Sequence, residues 1–184
     1  MTVTRAQAIV VNNTNKPIRG CTIIHKYSDD YVDQNYADDG VTIAPGETSR
    51  PLTVLYHTGA FTTSRDWHVS WFSEDLKVYS YTDPENFRGF VDALEVSAPV
   101  VAAAAAEVAT AGQATPLVIA AVAAAAVATT NTLVTKGATA GFKQHMLRSE
   151  DEGKVMEIRL SNDHKAHFHS VSGVSETRVT HTQI

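Results

Sequence analysis

The sequence predicts a mainly β protein: an antiparallel β-sandwich of eight or nine short strands, interrupted by an alanine-rich α-helical hairpin. Three observations carry that expectation. Strand-sized runs rich in aromatic and β-branched residues fill both ends of the chain, with turn residues between them. Some of these runs alternate strictly, as where Met156, Ile158 and Leu160 interleave with Val155, Glu157 and Arg159. Between Ala98 and Ala128, sixteen of thirty-one positions are alanine, the strongest helix former. At 184 residues the chain is long enough for one domain with a real core. The expected organisation is a single domain over 1–184 with the hairpin inserted at about 98–136.

Taken in order, RAQAIVVNN is a strand that ends in the turn NNTNKPIRG, where Asn13, Asn15, Pro17 and Gly20 are turn formers. CTIIHKYS is a second strand, with Cys21, Ile23, His25 and Tyr27 on one face. SDDYVDQNYADDG carries five Asp in eleven residues and reads as a solvated acidic loop. Its carboxylates also suit a hard cation such as calcium, although the spacing is not that of an EF-hand. IAPGETSR is a turn, and PLTVLYHT and DWHVSWFS are further strands, with Trp67, Val69 and Trp71 sharing a face. SEDLK is a tight connection to the strand VYSYT.

In the alanine-rich middle, Pro99 opens one helix and GQATP breaks it from the next. Thr115 is a suitable N-cap, and Lys136 and Gly137 suit a helix end. The two helices are expected over roughly 98–111 and 116–135. After them GFKQHMLRS, KVMEIRLS, KAHFHSV and SETRVTH read as strands separated by EDEG, SND and SG.

The formal charge of −5 argues against a nucleic-acid partner, which would call for a basic face. Charge is uneven along the chain. Residues 136–184 hold seven Lys/Arg against six Asp/Glu, with five of the eight histidines. That part becomes positive as pH falls through the imidazole range. Cys21 is the only cysteine, so no internal disulfide is possible, and the first residues lack the pattern of a secretory signal. These features point to a cytoplasmic home, or to release without a classical signal peptide.

The run from Val108 to Thr135 has no charge. A helix that is apolar all round is buried or in lipid. Leu117, Val118, Ile119, Val122 and Val127 are therefore candidate membrane or oligomer contacts. The hairpin either lies against the sandwich or forms a homo-oligomer seam, or it swings out into a membrane as in a pore-forming protein.

No motif for nucleophilic catalysis, phosphate cradling or dinucleotide binding is present, so no catalytic residue is assigned and the chain reads as a non-enzyme. His164, His167 and His169 are the candidate metal ligands, for zinc, and would make a metal-dependent hydrolase the third reading. Calcium and zinc are the only cofactors the sequence suggests. The first reading is a lectin-like binding protein that meets a glycan or a lipid head group through loop aromatics and charges. Tyr27, Tyr31, Arg65, Asp66, Trp67 and Arg88 are its candidate contacts, because an Arg or Tyr beside Trp offers an apolar plate next to a hydrogen-bonding edge. If Trp67 and Trp71 face the interior, that plate is lost.

The segments NNTN, HKYSD, HTGAFTTSRDWHVSW and DPENFRGF together resemble the UDP-domain family, named for up-regulation in daf mutants. The likeness covers about residues 6–92 and resumes near 142–172, where GFKQHMLRSEDEGK is similar to the family's closing strands. The alanine-rich segment is identified as an insertion in a fungal-type member. The resemblance implies a compact β-sandwich and supplies no catalytic residues. A defence role is the broad expectation for small fungal sandwiches of this look.

Overall fold

The computed structural model describes residues 2–26, 33–37, 41–58, 66–83 and 143–183. They form eleven strands: β1 (Thr2–Asn13), β2 (Ile18–Lys26), β3 (Asp33–Ala37), β4 (Thr42–Ile43), β5 (Leu52–Thr58), β6 (Asp66–Ser73), β7 (Val78–Thr82), β8 (Lys143–Gln144), β9 (Val155–Ser161), β10 (Lys165–Ser170) and β11 (Gly173–Gln183). All belong to one sheet, in the order β3-β2-β6-β7-β11-β10-β9-β1-β5, with β4 added to β2 and β8 to β6.

The expected sandwich of two separate antiparallel sheets is therefore corrected. β11 joins the halves. Its first part pairs with β10, from Ser170↔Gly173 to Lys165↔Arg178, and its second part with β7, from Val179↔Thr82 to Gln183↔Val78. A strand of eleven residues is long enough to serve both neighbours. The sheet then curls until its two end strands, β3 and β5, approach each other. It is not wholly antiparallel either, because β1 pairs in parallel with β9, from Gln7↔Val155 to Asn13↔Ser161.

The curl encloses one apolar core. β1 contributes Ala6, Ala8 and Val10, β5 contributes Val54 and Tyr56, and β9 contributes Met156, Ile158 and Leu160. From the other half come Ile23 of β2 and Trp67, Val69 and Trp71 of β6. Ala6 and Ala8 of β1 share this cluster with the large rings of Trp67 and Trp71, a mixture of sizes that a dense core requires.

Residues 33–37, expected within a solvated acidic loop, form β3 instead. It pairs with β2 from Thr22↔Ala37 to Lys26↔Asp33 and supplies partners to a backbone edge that would otherwise lack them. GFKQHMLRS contributes only the two-residue β8, followed by a 3-10 turn over Ser149–Asp151. That turn is the only helical element among the described residues. The inserted α-helical hairpin is thus not supported: the described residues contain no α-helix, and its expected span, 98–136, lies outside them. None of their helices is long and apolar enough to cross a membrane.

Candidate functional site

A cavity opens at the end of the sheet where the β1–β2 and β9–β10 turns meet. It holds about 300 Å³. Its apolar wall comes from Ile18, Trp71, Val78 and Val179, and its polar wall from the turn at Thr14–Lys16, Ser80, Asn162, His164 and His181.

The β1–β2 turn is built by Asn12, which is fully buried. Its Oδ1 accepts from the Thr14 amide at 3.0 Å and the Thr14 hydroxyl at 2.6 Å. Its Nδ2 donates to the carbonyls of Lys16 at 2.9 Å and Ile43 at 2.8 Å. A side chain that satisfies the backbone of its own turn in this way is characteristic of Asn. The Asn15 amide then donates to Asn162 Oδ1 at 3.1 Å, joining this turn to the β9–β10 turn.

His164 sits in that second turn with φ 60, a left-handed conformation uncommon outside glycine. Its carbonyl accepts from the Val179 amide at 2.8 Å, which ties the turn to β11. This places His164 Nδ1 2.9 Å from His181 Nε2. The ring centroids are 5.1 Å apart, edge to face, so the two nitrogens point at one another and share one proton between them. His181 Nδ1 lies 2.8 Å from Ser80 Oγ, and Ser80 is buried. The protein packed around the His181 ring lowers its affinity for a proton, His164 lowers it further, and Asp83 opposes both.

Of the contacts expected for a ligand, Tyr27, Tyr31, Arg65 and Arg88 lie outside the described residues, as do Leu117, Val118, Ile119, Val122 and Val127. Asp66 and Trp67 are described and are buried, so they present nothing to a ligand. Trp67 packs against His25 with ring centroids 4.1 Å apart and planes tilted by 36°, and its Nε1 donates to the His145 carbonyl at 2.9 Å. The aromatic plate expected at Trp67 belongs to the core, because the face it shares with Val69 and Trp71 points inward. Trp71 keeps one edge on the cavity.

His164, His167 and His169 are not brought together as a metal site. His164 is hydrogen-bonded to His181 in the cavity wall, whereas His167 stands on β10 between Asp163 at 3.4 Å and Glu176 at 3.5 Å. His169 is next to His167, with centroids 6.4 Å apart. Among the described residues no three His, Cys, Asp or Glu side chains are grouped to hold a metal ion. Lys16, Ser80, Asn162 and His181, which line the cavity, carried no signal in the sequence. The nearest clue was the pair of Asn-rich turns.

No curated protein matches the chain. A family model described as Up-Regulated in long-lived daf-2 matches residues 2–179, and this β-rich chain belongs to that family.

Proposed function

We propose that the protein is a non-enzymatic binding protein that seats one sugar ring of a glycan in the cavity between the two turns. The observation that carries this reading is the joining of an indole wall, Trp71, to hydrogen-bonding groups on two turns that are fixed to each other. A sugar offers an apolar face of C–H groups and a rim of hydroxyls. The exposed edge of Trp71, with Val78 and Val179 beside it, suits the face, and Asn162, His181 and the Thr14–Lys16 turn suit the rim. A volume of about 300 Å³ is at the small end of ligand sites and fits a ring of that size.

Ser80, His181 and His164 stand in the order of a nucleophile, a base and an orienting group. Ser80 is buried, however, so the chain of contacts is read as fixing the orientation of the His181 ring and is not assigned to attack on a substrate. The test is a glycan array followed by titration calorimetry on the wild type and His181→Ala. The expected result is one class of bound glycan and a loss of affinity of about tenfold or more in the variant, at unchanged melting temperature. A blank array, or unchanged binding by the variant, would overturn the reading. Binding to lipid vesicles without any glycan would move the ligand to a lipid head group.

A further inference from the structure

We infer that the sugar this cavity takes is an acidic one, whose carboxylate is held by Lys16 and by the His164–His181 pair once that pair has taken up a proton. The inference rests on the glycan reading above and narrows it. The first support is the choice of lining residues. The chain carries a net −5, yet none of the described residues lining the cavity is acidic, while Lys16, His164 and His181 are basic.

The neighbouring acids are engaged elsewhere. Glu74 and Asp75 share the outer rim with Lys16. Glu74 is 3.8 Å from Arg19, and Asp75 is 3.8 Å from Lys77 and accepts from the Ser73 hydroxyl at 2.6 Å. Asp163 precedes His164, but its Oδ1 accepts from the Lys165 amide at 3.2 Å and its Oδ2 faces His167. Asp83 is the carboxylate that acts on His181, and its Oδ1 accepts from the Thr180 hydroxyl.

The second support is the geometry of the pair. Two imidazoles joined nitrogen to nitrogen at 2.9 Å hold one proton on the line between them. A single added proton fits this arrangement. His181 then donates through Nδ1 to Ser80 and through Nε2 to His164, while His164 keeps an N–H at Nε2 on its exposed side. A second added proton would set two N–H groups against each other and open the pair. The pair is thus built to gain one positive charge without moving, in a cavity the size of one sugar that Lys16 also lines. The packing that disfavours the charged form of His181 makes a bound anion the natural counterweight. By linkage, binding of an anion that needs the added proton tightens as pH falls.

The experiment is calorimetry at about pH 7.5 and about pH 5.5 with glucuronate, glucose and sulfate, none of which changes charge across that range. Glucuronate is expected to bind more tightly than glucose and to tighten with acid, while glucose shows no pH slope. Equal affinities for glucose and glucuronate at both pH values would overturn this inference and leave the glycan reading standing. Sulfate binding as tightly as glucuronate would show a bare anion site and overturn the assignment to a sugar. No binding of any of the three would overturn this inference, and the glycan array would then decide the glycan reading. His164→Asn tests the pair directly, because Asn tolerates the left-handed backbone while removing the imidazole. This variant is expected to lose the pH slope for glucuronate, and a retained slope would place the proton elsewhere and overturn the inference.

Discussion

Strands β6 and β9 both run through the interior of the sheet, yet they are buried differently. β9 alternates: Met156, Ile158 and Leu160 enter the core, while Val155, Glu157, Arg159 and Ser161 stay at least partly in solvent. β6 is buried along seven of its eight residues. Trp67, Val69 and Trp71 join the central cluster, and His68, Ser70 and Phe72 are buried on the opposite face. There Phe72 meets Tyr79 at 4.9 Å, Tyr79 meets Tyr81 at 5.7 Å, and the Ser70 and Thr22 hydroxyls are 2.6 Å apart. In sequence the two strands look alike, each alternating large apolar residues with more polar ones. Alternation therefore marks the core-facing side reliably but does not show that the other side is wet.

Emptying β6 is the most severe challenge to this contrast. Trp67→Ala is expected to cost about 3–5 kcal/mol in urea unfolding, since it removes a fully buried indole and its hydrogen bond to the His145 carbonyl. A loss below about 1 kcal/mol would show that burial of this strand contributes little to stability.

A change of pH probes the outer face of β6. Burial lowers the His68 pKa to about 4, from an ordinary value of 6.5. The unfolded chain takes up a proton as pH falls through about 6.5, but the native chain does not until about 4. Stability is therefore full above that window and falls as pH falls through it, by up to about 3 kcal/mol. His145, also held neutral by burial to about 4, adds to the same slope. Unfolding midpoints at about pH 7 and about pH 4.5 should show the fall, and His68→Phe should reduce it to the part that His145 contributes. An unreduced slope would mean that β6 tolerates a charge on this face.

The smallest effect belongs to the wet side of β9. Arg159→Ala breaks a 2.7 Å pair with Glu157 and is expected to cost less than about 1 kcal/mol. A cost above about 2 kcal/mol would make the outer faces of the two strands energetically equivalent.

Much of the strand set was legible. DWHVSWFS and VYSYT coincide with β6 and β7, because aromatic and β-branched runs between turn residues have few other folds open to them. The pairings were not legible. Nothing local distinguishes a strand that will lie parallel to β1, and β3 lies among aspartates that argue for a loop. Five histidines near the end suggested a charged surface, yet His145 is buried between the hydroxyls of Ser170 and Ser175. The cavity was hidden for the same reason. His164 was noticed, but with His167 and His169, its neighbours in sequence. Its partner in space is His181, which only the closure of β11 onto the β9–β10 turn brings near.

β1 lies between β5 and β9, and this arrangement governs how the protein is made. During synthesis β1 and β5 can pair early, since both lie in the first 58 residues. The other edge of β1 must wait for β9, which begins at Val155. Until then the nascent chain carries an open, apolar-flanked strand edge, the kind of surface that invites pairing with another chain. Pairings so far apart in sequence also form slowly. The growing polypeptide therefore spends most of its time on the ribosome unfinished, and its yield in a cell depends on how well this edge, and the edge of β7 that waits for β11, are shielded before the last strands emerge.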